Sequence, residues 1–555
     1  MSEYCNVAAA LTRQARERPD APAIHYPVGL RRGRVRYANC SYRELDELSD
    51  RYARGLLAWG LAPGARAALM VPPGREFFAL FFALFKAGIV PVLIDPGIGL
   101  RPLRQCLAEA APEAFIGVTR AQAARVLLRW ARHSVRRVVT VGPRLFWSGI
   151  GTRRLAALGQ DSDAPLCRTG ADELAAILFT SGSTGVPKGV PYRHRHVQNQ
   201  VEMLRDAFDI RPGEVDLATF PPFALFDPAL GMTTVVPWMD PTRPAKADPA
   251  LLAEAVNRFG VTNVFGSPAL LRNLGRYAGQ RSLRFGTVRR VLSAGAAVPV
   301  ATVRAMEAAL PEGAEVHTPY GATECLPVAT ICGRELDELD DATAGKTAAG
   351  AGICVGRPVP GNELRILKVT DEAMERLDDA CLARPGEPGE IAVCGPTTTD
   401  SYWRRERQTR LAKMLDEEGR VWHRMGDIGY FDDDGRLWYC GRKSQRVRLG
   451  DRDLFPDQVE AVFNAHPGVE RSALVGVGER APQRPVLCIE ASDGRDGDAG
   501  LVHELDAVAR AHEGLDVIRD FLFHPGFPVD IRHNAKIGRE ALARWAAGRL
   551  DGPQA

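Results

Sequence analysis

Residues Leu178 to Val190 read "LFTSGSTGVPKGV". The apolar residues of a predicted strand, Ala175–Phe179, run directly into two glycines, a cluster of hydroxyls and one lysine. Glycines admit backbone N–H groups close to phosphate oxygens, Ser and Thr hydroxyls add donors, and an ammonium adds a point charge. Thr180, Ser181, Gly182, Ser183, Thr184, Gly185 and Lys188 are therefore candidates to hold a phosphate chain. The order Pro187-Lys188-Gly189 is not the GK[ST] that closes a Walker A loop, which argues against a P-loop kinase. "GSTG" by itself reads equally well as an ordinary Gly/Ser turn. The longer string is far more specific.

On both sides of this loop, short β-branched runs alternate with helical patterns. Ala65–Val71, Val90–Ile94 and Val261–Phe265 read as strands and Glu76–Ala87 as a helix. Ser267 followed by Pro268 is an N-cap with proline at the first helical position, and Pro299 opens another helix. Strands alternating with helices imply parallel sheets, whose ligands gather at the carboxyl ends of the strands. Residues 335–352 read as an exposed, mobile loop, and "YFDDDGRLWYC" as a hairpin around Asp434-Gly435. A chain of 555 residues exceeds one core. The expected organisation is α/β, with a large N-terminal domain of mixed parallel sheets and flanking helices (1–440) and a small, mobile α+β C-terminal domain (441–555).

The composition narrows the function classes. A net charge of +3 gives no support for general nucleic-acid or membrane-surface binding. Eleven scattered cysteines without a CxxC pair argue for a reducing compartment, and no signal peptide or spanning segment is legible, so cytoplasm is expected. The basic run Val126–Val139 reads as a solvated helix face, with acidic lipid or a partner enzyme as the alternative.

Further motifs follow the loop in a fixed order: "SAGAAV" (Ser293–Val298), "YGATE" (Tyr320–Glu324), "RMGDIGYFDDDGRLWYCGRK" (Arg424–Lys443) and "FPVDIRHNAKIGR" (Phe527–Arg539). With "KAGIVPVLIDP" (Lys86–Pro96) before it, this set resembles the adenylate-forming superfamily of acyl-CoA synthetases, peptide-synthetase adenylation domains and luciferases over nearly the whole chain. The resemblance implies that a carboxylate attacks the α-phosphate of ATP. The Thr180–Lys188 loop, Thr184 included, would hold the β- and γ-phosphates, and Glu324 would bind Mg²⁺. Gly295, Ala296 and Ala297 would form the adenine turn, with Tyr320 stacking on the base beside Gly321 and Thr323. Asp427 would accept the ribose hydroxyls, Arg442 would support the ribose, and Lys536 would bridge the α-phosphate and the acyl oxygen.

Three positions depart from the family pattern. "FPPFALFDPALG" (Phe220–Gly231) lacks the usual histidine and carries Asp227, Gln445 replaces the hinge aspartate, and Ala535 replaces the glycine before Lys536. Together with "YRHRH" (Tyr192–His196) and "FGSPALL", these resemble one branch, the β-lactone synthetases of bacterial long-chain olefin biosynthesis. That branch implies adenylation of a 2-alkyl-3-hydroxy fatty acid followed by attack of its own 3-hydroxyl, and neighbouring olefin-pathway enzymes as partners. Asp227 is a candidate base for the hydroxyl, or an aspartate in an Asp-Pro turn. His194 and His196 either cap a helix, line a pocket or pair on a metal. Phe77–Phe85, Phe223, Phe226, Trp238 and Phe265 either form core or wall an acyl channel. A fatty acyl-CoA or acyl-carrier-protein ligase, and a catalytically silent nucleotide-binding scaffold, are the competing functions.

Overall fold

The computed structural model describes residues 5–160, 162, 167–180, 187–338, 345–492, 495, 497–529 and 537–550. The phosphate-loop residues Ser181, Gly182, Ser183, Thr184 and Gly185, and Lys536 of the terminal motif, lie outside them.

Two seven-stranded sheets organise the first 320 residues. One runs Ile150–Gly151, Arg137–Val141, Ala114–Val118, Arg66–Met70, Val90–Leu93, Leu174–Phe179, Gly189–Arg193. It is parallel except where Leu174–Phe179 turns back antiparallel onto Gly189–Arg193 across the glycine-rich loop. The other runs Glu315–His317, Arg290–Leu292, Asn263–Phe265, Val215–Ala218, Thr233–Val235, Pro22–Arg31, Arg34–Ser41, and is parallel up to its last pair.

Local chemistry explains the helices between these strands. Tyr42–Ala58 begins with a capping box in which Ser41 and Glu44 satisfy each other's backbone N–H. Arg75–Lys86 is buried over almost its whole length. Its terminal Lys86 is neutralised by Asp46 at 2.6 Å and Asp50 at 2.5 Å, a cluster whose disruption would cost about 3–5 kcal/mol. Pro268–Gln280 starts on Ser267, whose hydroxyl accepts from the Leu270 N–H.

From Tyr320 the chain changes to antiparallel pairing, which sequence reading located only in the hairpin at Asp434-Gly435. Tyr320–Ala322, Cys325–Thr330, Ile353–Pro358, Leu437–Arg442, Val421–Phe431, Gly389–Cys394 and Glu363–Leu367 form one sheet, with Lys413–Leu415 pairing alongside. Residues 335–352, expected as a loop, begin inside the helix Gly333–Glu338 and include a helical turn at 345–348.

The smaller C-terminal unit packs Val469–Val477, Arg484–Ala491 and Asp520–Phe523 against the helices Pro456–Asn464, Ala499–Ala511 and Arg539–Leu550. Its own apolar cluster is built around Phe463, Leu474, Leu487, Leu501 and Leu505. We propose a domain boundary at 440–441, near the end of the strand Leu437–Arg442. Among the described residues, no helix is long and apolar enough to cross a membrane.

Candidate functional site

The carboxyl ends of both seven-stranded sheets, one flank of the antiparallel sheet and the start of the C-terminal unit enclose a cavity of about 2190 Å³. The loops after Arg66–Met70, Val90–Leu93, Leu174–Phe179, Asn263–Phe265 and Arg290–Leu292 all contribute to its wall. Thr180, Lys188, Gly295, Ala296, Ala297, Tyr320, Gly321, Thr323, Glu324, Asp427 and Arg442 all line it, although they span more than 260 positions of sequence.

The polar end has two parts. In the first, Thr180 and Lys188 close the base of the glycine-rich loop: the Thr180 N–H donates to the Lys188 carbonyl at 3.0 Å, and the Lys188 N–H donates to Thr180 Oγ1 at 3.1 Å. The Lys188 ammonium lies 4.3 Å from the centre of the Tyr402 ring, and the Tyr402 hydroxyl donates to Glu324 Oε1 at 2.5 Å. Burial lowers the Lys188 pKa, and the Glu324 carboxylate opposes that shift. The cation lies over the ring face and the carboxylate accepts from the hydroxyl in the ring plane, so one tyrosine joins the two in a line of contacts.

Behind this line, the Thr399 N–H and hydroxyl both donate to the Glu324 carbonyl, at 2.9 and 3.0 Å. Buried Lys413 in turn donates to the Thr399 carbonyl, and its pKa is pushed down to about 8 by burial. Tyr192 donates to the Thr323 carbonyl, fixing the same turn from the other side. Sequence reasoning missed Tyr402 and Lys413, because neither stands in a motif with its partners.

In the second part, Asp427 accepts from the Tyr320 hydroxyl at 2.7 Å and pairs with Arg442 at 3.1 Å. Asp427 holds Arg442 firmly protonated, and burial next to Asp427 raises the Tyr320 phenol well above its ordinary pKa. Gly295, in the turn after Arg290–Leu292, has φ +94°, a conformation that glycine adopts without strain.

The other end of the cavity is apolar. Phe77, Phe81 and Phe85, spaced four residues apart on one face of their helix, line it, whereas Phe78 and Phe82 point into the core. Phe220, Phe223, Phe226 and Phe265 form the opposite wall, with Phe223 and Phe265 stacked at 4.0 Å. Trp238 is 39% exposed and is not part of the lining.

Asp227, expected as a base, needs correction: it lies behind this wall and not on it. It is buried at the start of the short helix Asp227–Leu230, where it accepts from Thr234 Oγ1 at 3.0 Å and donates to Asp216. Asp216, Thr234 and Asn263 are neighbours across the strand ladder, and Asn263 also donates to Asp216. Burial together with the facing Asp216 raises the Asp227 pKa well above the carboxylate range, and burial raises Asp216 to about 7.

The histidines resolve differently. His196 Nδ1 accepts from the Arg193 N–H at the start of its own helix, while the His194 ring meets Phe85 edge-on at 5.7 Å. Among the described residues, no group of three or more His, Cys, Asp or Glu side chains is placed to hold a metal ion. At the hinge, Gln445 accepts from Arg539 at 3.3 Å, and Lys443 pairs with Glu390 at 2.8 Å.

Comparison with known proteins agrees with this architecture. The family model described as AMP-binding enzyme matches residues 11–403. The chain is 56% identical to the olefin beta-lactone synthetase of Xanthomonas campestris pv. campestris, over 99% of this chain and 98% of that protein. It is 53% identical to the olefin beta-lactone synthetase of Stenotrophomonas maltophilia, over 99% of this chain and all of that protein. Among solved structures, ATP-bound MatB from Rhodopseudomonas palustris superposes with a TM-score of 0.75 at 21% identity, covering 98% of this chain and all of that one.

Proposed function

The chain belongs to the AMP-binding enzymes, and from that premise we propose that it is an ATP-dependent β-lactone synthetase acting on a 2-alkyl-3-hydroxy long-chain fatty acid. The end-to-end likeness to two olefin beta-lactone synthetases carries the choice of lactone closure over thioester formation.

The first step joins two anions, so charge neutralisation decides its barrier. In this reading Lys188 and the loop it closes hold the β- and γ-phosphates, Asp427 and Arg442 hold the ribose, and the Gly295–Ala297 turn lies against adenine. An acid carboxylate oxygen attacks the α-phosphorus, the bond to the bridging oxygen breaks, and pyrophosphate leaves. Lys536 is assigned to the charge that develops on the α-phosphate. Glu324, oriented by Tyr402, fits Mg²⁺, a hard cation that takes one or two carboxylates and completes its shell from phosphate and water oxygens. When bound, it would supply charge neutralisation on the phosphates.

The second step needs no further substrate. The acyl chains lie among Phe77, Phe81, Phe85, Phe223 and Phe265, which leaves the carboxyl end toward the phosphates. The 3-hydroxyl attacks the adenylate carbonyl, the carbonyl–phosphate bond breaks, and AMP and one proton leave as the four-membered ring closes. Holding hydroxyl and carbonyl together is worth an effective concentration of about 10⁵ M or more. We also infer association with other olefin-pathway enzymes, which co-purification of the full chain with them would test.

The experiment that tests the main reading is product analysis after mixing protein, Mg-ATP and a 2-alkyl-3-hydroxy fatty acid without CoA. The expected result is a β-lactone formed in step with AMP. An acyl-adenylate that waits for CoA or a carrier thiol would make the protein an acyl ligase.

A further inference from the structure

From Ala114 to Gln160 the chain carries nine arginines and no aspartate or glutamate, whereas as a whole it sets 71 basic against 68 acidic residues. Among the described residues the hydrogen bonds of these guanidiniums go to neutral partners, Arg125 to Gln122, Arg132 to His133, Arg137 to the Trp59 carbonyl and Arg144 to the Trp147 carbonyl. Only Arg120, on the cavity side, acts on a carboxylate, that of Asp240. The exposed outer arginines of this stretch, Arg129, Arg132 and Arg136, are therefore a field of one sign on an otherwise balanced molecule.

Its shape differs from the solvated helix face expected from sequence. The helix Thr119–Leu127 walls the cavity with Arg120, Ala121 and Ala124, and Trp130 just beyond it lines the same cavity. On the outside, Leu127 is 75% exposed, among exposed Arg129, Arg132 and Arg136. The neighbouring loop, tied to the start of the helix by Thr119 Oγ1 donating to the Pro143 carbonyl at 2.6 Å, holds Phe146 at 75% exposure beside Leu145. A single exposed apolar side chain is ordinary; several among unopposed arginines are a composition with a function.

Guanidinium groups pair with phosphodiesters through a planar fork, and leucine and phenylalanine enter the headgroup boundary. A nucleic-acid backbone would use the arginines but not the leucines. We propose that this face docks the enzyme onto an anionic phospholipid surface. The helix that walls the acyl chamber is then the element lying on the lipid, so a two-chained acid enters from the bilayer without crossing water. That last step rests on the proposed substrate; the docking itself does not.

Sedimentation of the full chain with vesicles tests the docking without ATP or substrate. The protein should pellet with phosphatidylcholine vesicles containing about 30% phosphatidylglycerol, stay in solution with phosphatidylcholine alone, and be released by about 0.5 M salt. The triple variant R129E/R132E/R136E should partition at least about tenfold more weakly, and L127S/F146S should also weaken binding. Pyrophosphate exchange with a water-soluble 3-hydroxy acid should be unchanged in both, showing that they fold. Protein that stays in solution with anionic vesicles, or variants that bind like the parent, would overturn the proposal. So would a parent that ignores vesicles yet needs the same arginines to bind a soluble acidic protein. A failure of lactone formation would leave the vesicle result intact.

Discussion

At the scale of single residues, the Lys188–Tyr402–Glu324 line is the most exposed to test. Tyr402→Phe keeps the ring beneath the ammonium and removes only the hydroxyl that orients the carboxylate. Losing a buried hydrogen bond to a charged group costs about 1.5–3 kcal/mol of stability, so the variant should melt lower. Pyrophosphate exchange measured well below its melting temperature should also fall, because the carboxylate is no longer oriented. An unchanged exchange rate would show that Glu324 needs no orientation. The Asp216–Asp227 pair makes a second prediction. Burial raises both carboxyls, so the folded chain keeps protons that the unfolded chain has lost, and stability falls as pH rises from the carboxylate range through about 7. Asp227→Asn retains a donor to Asp216 without the second acid. Its melting temperature relative to the parent should therefore be higher at pH 8 than at pH 5, by about 2 °C; a pH-independent difference would refute the shared proton. Glu324, Asp427, Arg442 and Lys188 could be singled out because each sits in a short contiguous motif, and the structure places all four on the cavity wall. Tyr402 was not, since it meets Glu324 across 78 positions and no local spacing announces the contact.

At the scale of elements, the same contrast holds. Arg66–Met70 and Arg75–Lys86 were readable to within two residues from hydrophobic period, and the start of Pro268–Gln280 from a serine N-cap followed by proline. The antiparallel sheet after Tyr320 was mostly hidden. Its strands are short, and pairs such as Ile353 with Tyr439 join positions far apart in sequence. No pattern in one strand reveals so remote a partner. Helix contacts carry a stronger constraint than periodicity shows. Tyr42–Ala58 and Thr152–Gln160 approach so closely that a Cβ on Gly159 would lie 1.8 Å from the Arg51 carbonyl oxygen, and one on Gly55 would lie 2.1 Å from that of Leu155. Neither glycine has a positive φ, so the requirement is space alone. Gly159→Ala should therefore destabilise by about 1–3 kcal/mol as the helices are pushed apart. Thermal unfolding would register the loss, while exchange activity at low temperature should persist because this contact is remote from the cavity. A melting temperature equal to the parent's would mean that the pair of helices has room to spare.

At the scale of the molecule, function depends on how the C-terminal unit meets the rest. Two ion pairs tie that meeting, Lys443 to Glu390 at 2.8 Å, with Arg424 on the same carboxylate at 2.5 Å, and Arg446 to Asp371 at 2.8 Å, while Arg539 donates to Gln445 within the C-terminal unit. They bring Ile537, Gly538 and Arg539 to the cavity wall. Neighbouring Lys536 is assigned to adenylation alone, because ring closure within the adenylate is governed by the proximity of hydroxyl and carbonyl, which the phenylalanine chamber supplies. The two half-reactions should then separate in Lys536→Ala. Pyrophosphate exchange should fall by about a hundredfold or more, since a charge placed on the developing transition state is lost. Closure of a supplied 3-hydroxyacyl-adenylate, followed as AMP release in a single turnover, should stay within about tenfold of the parent. Equal losses in both assays would mean that the terminal motif also acts on the leaving phosphate during closure. In that case the C-terminal unit would have to hold one position through both steps, which its contacts with Glu390 and Asp371 would allow.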